Sequence, residues 1–466
     1  MAKPAPPLGS TLQAPSGLWT GLQIRVLITL LLVVTSNYID RSLLGILQEP
    51  VKHELKLTDW QLGLVGGPSF AIFYALAGIP SARWAERANR AIVLPIILSV
   101  WSAASAVCGM AQNFAMLALA RAGVGLGEGG CIPISHSLVS EYFSPRQRGM
   151  AIAILGSGPA IGGFIAATVG SFIAQTWSWR LAFLAVGLPG LLLAIFVRLT
   201  LKDPRPPRTA ELPARSTFLA DLSWLGRNRA FVMIAAANAM LSVGNSGVMM
   251  FTASYFLRVY DLTLVQVGAI YASGIGIAGL FGSLLSGVLA DKFAGKRGRS
   301  YVLVPAIGAA AACILFSLAF TRDVWWAAVM FILPANLLLD FKTPSLAAVQ
   351  SISPPHMRAT STAVMFLGIT FCGTGLGGPI AGAVSDFAAS GLLPDSWGHL
   401  AQACPGGRAP AGAADIVVTT CQAASAAGVK AAVLAASGIF GLGSLLFFLA
   451  SRSIDLKLEE PAPTTA

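Results

Sequence analysis

Twelve stretches of this chain are long and apolar enough to cross a lipid bilayer. A transmembrane helix needs about 20 largely apolar residues. Candidate spans 1 to 12 fall at 23–48, 60–82, 91–111, 113–139, 149–173, 180–199, 229–257, 264–290, 301–320, 324–349, 359–387 and 429–450. Composition agrees: only 11% of the 466 residues are charged, against roughly 25% in a soluble domain. The expected fold class is an all-α membrane protein with twelve transmembrane helices.

The net charge of +11 does not point to nucleic acid, because the basic residues sit in alternate connections. Arg83, Arg87 and Arg90, Arg146 and Arg148, then Lys202 to Arg229, then Lys292 to Arg299 all follow even-numbered spans. By the positive-inside rule these loops and both termini are expected to be cytoplasmic. Residues 1–22 read as a disordered tail rather than a signal peptide. Cys108, Cys131, Cys313 and Cys372 fall within spans, whereas Cys404 and Cys421 share one long external loop, 389–428, and are candidates for a disulfide.

The chain repeats itself. "ARWAERANR" after span 2 is echoed by "GVLADKFAGKR" after span 8, and "FSPRQRG" before span 5 by "ISPPHMRA" before span 11. Both echoes are offset by about 205 to 210 residues in matching orientation, as two parallel six-helix halves would be. The halves are placed at 23–200 and 229–452, with a linker at 201–228 and a tail at 453–466.

The acid and base cluster of these loops resembles the signature of the major facilitator superfamily, over nearly the whole chain. The resemblance implies that Glu86, Arg87, Arg90, Asp291, Lys292 and Arg297 latch the cytoplasmic helix ends in one state and release them in another. Ala82 and Asn89 depart from the glycines usual in that pattern.

Ionisable residues within spans mark substrate or ion pathways by default. Asp40 and Arg41 lie in span 1, Arg121, Glu128 and His136 in span 4, and Asp340 and Lys342 in span 10. Arg121, Gly125 and Glu128 stand at i, i+4 and i+7, on one helical face. Gly123, Gly125, Gly127, Gly129 and Gly130 strip side chains from span 4, so that another helix or a ligand can approach its backbone. Counting about 1.5 Å per residue puts Asp40 about 15 Å and Arg121 about 12 Å from the external ends of their spans. Arg121 or Arg41 can therefore compensate Asp40, with Glu128 deeper. A proton on one carboxylate would then free its cation, unless the charges form a permanent packing network.

"NYIDRSLLGIL" in span 1 together with "RAGVGLGEGG" in span 4 resembles the Spinster family of the superfamily. The resemblance implies a bacterial inner-membrane transporter of lipid-like amphipathic substrates such as lysophospholipids or sphingoid phosphates. It implies Asp40 and Glu128 as the protonatable pair and Arg121 as their partner in the cavity, with Arg41 beside it. Gly129, Gly130 and Lys342 depart from that pattern.

Other polar residues form stripes at helical spacing. Asn37 and Tyr38 in span 1, Asn238, Ser242, Asn245 and Met249 in span 7, and Asn336 and Asp340 in span 10 are expected to line the cavity or to hydrogen-bond between helices. Lys342, about 200° round the helix from Asp340, is expected to snorkel to the interface. Phe70, Phe73, Tyr74, Met249, Met250, Phe251 and Phe366 are candidate contacts for an apolar tail.

Small organic anions such as sugar acids are the competing substrate class. They would call for further cavity arginines in spans 7 to 12, and none is read there. The four histidines show no metal-ligand spacing and no phosphate-binding loop is present, so an enzyme is not expected. No cofactor is expected beyond protons as coupling ion, and the expected assembly is a monomer in the bilayer.

Overall fold

The computed structural model describes residues 19–204, 218–272, 275–293, 298–354, 357–397 and 400–454. Among them every regular element is helical. Eleven helices are long and apolar enough to span a membrane: Gly21–Leu55, Asp59–Ala85, Arg90–Gly109, Phe114–Tyr142, Gln147–Thr176 and Trp179–Thr200 in the first half, and Arg229–Val259, Ser300–Ala319, Trp325–Ile352, Thr360–Ser390 and Asp415–Ser453 in the second. Leu264–Ala272 and Ile275–Lys292 stand where span 8 is expected, on either side of residues outside the description.

Local chemistry sets the starts. Thr20 with Gln23, and Thr58 with Gln61, form capping boxes that open spans 1 and 2. Asn89, Asn113, Ser178 and Asn228 accept a backbone N–H at the starts of spans 3, 4, 6 and 7.

The repeat extends to irregularities. Spans 3 and 9 are both 20 residues long, with Pro95 and Pro305 at the same register. Spans 5 and 11 each contain a π-helical stretch, Ala166–Gly170 and Ile369–Thr374. Spans 4 and 10 are each interrupted after 15 residues, Phe114–Glu128 and Trp325–Leu339. Each half has its own core: Leu30, Leu98, Trp101, Leu117 and Phe183 in one, and Leu241, Phe251, Phe316, Phe440 and Phe447 in the other. Outward-facing Leu119, Leu192, Leu199, Phe281, Ile307 and Met330 are exposed, an apolar belt that hydrocarbon would cover.

Several boundaries differ from the sequence reading. The final helix begins at Asp415 rather than 429, so the expected external loop shortens to residues 391–414 and Cys421 falls in the helix, with only Cys404 left in the loop. Its first turns, "DIVVTTCQAASAAG", are rich in small helix formers but not apolar enough to register as a span. The expected linker contains a helix, Phe218–Arg227, and its residues 205–217 lie outside the described set. The tail from 455 and residues 1–18 of the expected disordered segment lie outside it too; span 1 already starts at Gly21, inside that segment.

Candidate functional site

The buried charges of the first half meet at its centre. Span 1 turns about 100° per residue, so the adjacent Asp40 and Arg41 face different neighbours. Arg41 points to span 4, where its Nε donates to Glu128 Oε2 at 2.7 Å. Glu128 is fully buried. Tyr38, Phe70 and Tyr74 surround the Arg41 guanidinium, with ring centroids 5.3, 5.1 and 4.5 Å away. Such aromatic faces stabilise a cation where water is scarce. Asp40 points instead to span 3, where Ser105 donates to its Oδ1, and its Oδ2 has no hydrogen-bond partner.

Arg121 is only 2% exposed, yet its Nε and Nη1 make no hydrogen bond. It lies near enough to act electrostatically on Asp40 and Glu128, and its guanidinium sits 5.1 Å from the Phe70 ring on which Arg41 also stacks. The direct partner of Glu128 is thus Arg41, which leaves its own Nη2 without a hydrogen bond, while Arg121, expected to be the pairing cation, leaves two nitrogens so. Phe70 and Tyr74, candidates for a substrate tail, instead hold arginines.

The glycines of span 4 are packing devices. A methyl on Gly129 would lie 2.5 Å from the Tyr74 carbonyl oxygen, and one on Gly127 would lie 2.5 Å from the Trp101 nitrogen. Gly125 likewise abuts the span 2 backbone at Phe70 and Tyr74. Spans 2 and 3 therefore fill the faces that ligand approach would need.

The polar residues of spans 7 and 10 hydrogen-bond within and between helices, one of the two roles expected of them. Asn238 donates to Ile234 O at 2.9 Å and to Ser345 Oγ at 3.0 Å, tying span 7 to span 10. Asn336 donates to Ile332 O at 2.9 Å, one turn back. Ser242 donates to Ile369 O in span 11 at 3.0 Å, whereas Asn37 in span 1 is wholly buried with neither side-chain amide atom hydrogen-bonded. Asn245 and Met249 are half-buried in span 7, and the Met249 carbonyl accepts from Tyr271. Lys342 does not snorkel away. Span 10 tightens to a 3-10 turn over Asp340–Lys342, which brings i and i+2 to about 120° apart by the shorter way round. The lysine amine reaches back to Asp340 Oδ1 at 2.7 Å.

The described latch residues bond within their own halves. Arg90, 1% exposed, forks onto Asp203 through Nε at 3.0 Å and Nη2 at 2.7 Å, and donates to Ser137 at 2.6 Å. Asp291 accepts from Tyr301 at 2.6 Å, and Lys292 lies 6.0 Å from the Phe293 ring centre. The side chains of Glu86 and Arg87, and all of Arg297, lie outside the described residues.

A second buried charge cluster, unread in the sequence, lies at the disulfide side. Arg258 at the end of span 7 donates to Glu49 Oε1 at 2.5 Å and to both oxygens of Asp59 at 2.7 Å. Lys52 adds a bond to Asp59 Oδ1 at 2.7 Å, and Ser385 of span 11 one to Asp59 Oδ2 at 2.6 Å. Asp386 accepts the Asp59 and Trp60 backbone N–H groups at the start of span 2. All ion pairs between the halves among the described residues belong to this cluster. Helices approach closely there too: a methyl on Gly63 of span 2 would lie 2.5 Å from the Gly378 oxygen of span 11. Above it, Cys404 and Cys421 are joined by a disulfide, and the Gly406 carbonyl sits 2.8 Å from His53 Nδ1. The molecule is closed at this end. Arg258 also corrects the expectation of no buried arginine in spans 7 to 12. Glu49, Lys52, Asp59 and Arg258 all fall within a few residues of span ends, where sequence reading treats charge as interfacial; their shared level in spans 1, 2 and 7 was the available signal.

Comparison with known proteins places this architecture. The pattern described as Major Facilitator Superfamily matches residues 30–379. An MFS-type efflux pump of Mycolicibacterium smegmatis is 32% identical over 368 residues, 77% of this chain and 83% of that one. A hexuronate transporter of Bacillus subtilis is 30% identical over 195 residues, 41% of this chain and 45% of that one. A crystal structure of a bacterial homologue of the human lysosomal transporter Spinster, inward-facing and occupied, superposes with a TM-score of 0.81 at 27% identity, covering 93% of this chain and 98% of that one. Two six-helix halves, buried charge in spans 1 and 4 and a match over three-quarters of the sequence lead to one assignment: the chain belongs to the major facilitator superfamily of membrane transporters, and its likeness within it runs to Spinster.

Proposed function

We propose that this transporter moves lipid-like amphipathic substrates, such as lysophospholipids or sphingoid phosphates, by proton-coupled alternating access. The observation that carries the reading is Arg121: a cation 2% exposed, with two guanidinium nitrogens free of hydrogen bonds. Leaving such donors unmade is costly, and an anionic head group arriving between the halves would satisfy them. Asp40 and Glu128 carry the protons. Protonating Glu128 would weaken its hold on Arg41, and protonating Asp40 would remove the negative charge beside Arg121; either change alters the cation available to substrate. The basic loops face the cytoplasm of a bacterial inner membrane in this reading, so the closed disulfide side is external and the structure corresponds to an inward-facing state. The transporter acts as a monomer.

Small sugar acids are the second reading, favoured by the likeness to a hexuronate transporter over the stretch they share. Arg258 does not add to it, because Glu49 and Asp59 occupy that guanidinium. The test is flux of labelled lysophospholipids, sphingoid phosphates and hexuronates into reconstituted vesicles with and without a pH gradient. Wild type is expected to move the lipids with the gradient, and Glu128→Gln and Asp40→Asn to lose the gradient dependence while remaining folded. Hexuronate flux without lipid flux would reverse the choice of substrate; gradient dependence retained in both variants would remove the proton assignment.

A further inference from the structure

We propose that Asp340 and Lys342 form a second recognition site, in the other half, that opens its own ion pair onto a zwitterionic head group. Lys342 takes the anionic group of the ligand and Asp340 its ammonium. The inference deepens the lipid reading above and rests on it.

Position is the first support. Span 10 runs from Trp325, and Asp340 lies 15 residues in, about 22 Å down a helix rising 1.5 Å per residue. Glu128 lies 14 residues into span 4, at nearly the same depth, and both helices break at their acid. Through the internal repeat, with Pro95 and Pro305 in register, Asp340 stands two residues beyond the counterpart of Glu128. Each half thus presents a carboxylate and a cation at one level of the membrane.

Exposure is the second. The half-exposed Asp340 and the exposed Thr343, Ala347 and Gln350 recur at helical spacing down the same side of span 10. An exposed stripe carrying a carboxylate, a hydroxyl and an amide at membrane depth belongs against water rather than lipid. Thr343 also meets Ser283 of span 8 at 3.0 Å, adding hydroxyl groups beside the pair.

The third is what the pair fails to do. Both charges lie on one turn of one helix, so their bond ties no two helices together. Its side chains are 36% and 33% exposed, and a pair so open to water is cheap to separate. The Arg41–Glu128 bond, by contrast, joins spans 1 and 4 with its acid fully buried. A charged pair that contributes nothing to packing, kept within a span, calls for a ligand. Its neutrality selects the class: a lone anion on Lys342 would leave Asp340 without a counter-ion, and a lone cation on Asp340 would strand Lys342. A head group with both charges satisfies both.

The test uses the full-length protein in proteoliposomes, with lysophosphatidylethanolamine and lysophosphatidic acid of the same acyl chain as probes. Wild type is expected to prefer the zwitterion in initial rate. Lys342→Met should slow both lipids and the anion more, shifting the ratio further toward the zwitterion, and Asp340→Asn should shift the ratio about tenfold toward the anion, as expected when a site loses one of the polar partners it was built to match. The swapped variant D340K/K342D should keep the wild-type ratio, which preserves the test if a single variant misfolds. A wild type that prefers the anion, or a ratio unchanged within twofold in folded single variants, overturns the inference alone. A wild type that moves neither lipid overturns the lipid reading and this inference together.

Discussion

Replacing Arg258 by Met should open the disulfide side. In the closed state Arg258 is the cation shared by Glu49 and Asp59, all three buried. Removing one partner of a buried pair costs about 3 to 5 kcal/mol, because the remaining charge stays desolvated. Lys52 still reaches Asp59, so the lower figure is the safer expectation. The cost falls on the closed state alone: once the halves part, water hydrates both carboxylates. At about 1.4 kcal/mol per tenfold, the closed-to-open ratio should fall by roughly 150-fold, and by several thousand-fold at the upper figure. Ser254, wholly buried beneath the cluster where Gln48 donates to it, is a reporter site. In a protein whose free cysteines Cys108, Cys131, Cys313 and Cys372 are replaced, Ser254→Cys should be alkylated by a membrane-impermeant reagent at a rate set by the open fraction. Arg258→Met should accelerate that labelling by about two orders of magnitude, and Arg258→Lys by less. A change under threefold in a protein that still elutes as a folded monomer would refute the cluster as a lock.

Two further outcomes test the packing. Gly127→Ala should lower thermal stability in detergent by about 1 to 3 kcal/mol through overpacking on Trp101, whereas Gly149→Ala, with open space around it, should be neutral or gain up to about 1 kcal/mol of helix propensity; equal effects would argue against close helix approach in span 4. Asp203→Ala should destabilise the first half by up to about 3 kcal/mol by leaving the buried Arg90 with Glu141, 3.9 Å away, as its remaining acid, and the double variant R90M/D203L should recover most of the loss; no recovery would mean the aspartate acts in some other way.

The two-half plan was legible in the sequence because apolar length and an offset repeat are one-dimensional properties. Order along the helices was legible as well, since counting residues puts Asp40 and Arg121 at compatible depths and Glu128 deeper. Direction was not. Asp40 and Arg41 are neighbours in sequence, yet one bonds Ser105 of span 3 and the other Glu128 of span 4, and only the packing of the helices decides which faces which. The same gap explains Asn238 and Asn336. A polar stripe shows where an amide sits on its own helix, not that a carbonyl one turn back already holds it. Lys342 was misplaced because its reading assumed a regular α-helix, and the 3-10 turn changed the angle. The lock escaped because a charge near a span end looks interfacial until a partner half covers it.

The distribution of ion pairs constrains how the two ends of span 1 communicate. Every described charged contact at the centre of the first half, Arg41 with Glu128, Asp40 with Ser105, and both arginines on Phe70, lies within that half. The Asp340–Lys342 pair lies within the other. The described ion pairs that bridge the halves are those of Arg258 with Glu49 and Asp59, at the disulfide side. A rocking of one half against the other would therefore break the lock and leave each central pair intact, so the central pairs do not by themselves favour either state. A ligand shifts a conformational equilibrium only through a difference in its contacts between the two states. A head-group anion shared between Arg121 of one half and Lys342 of the other, with the ammonium on Asp340, would be that difference, because it would make at the centre the bridge between halves that the described side chains do not.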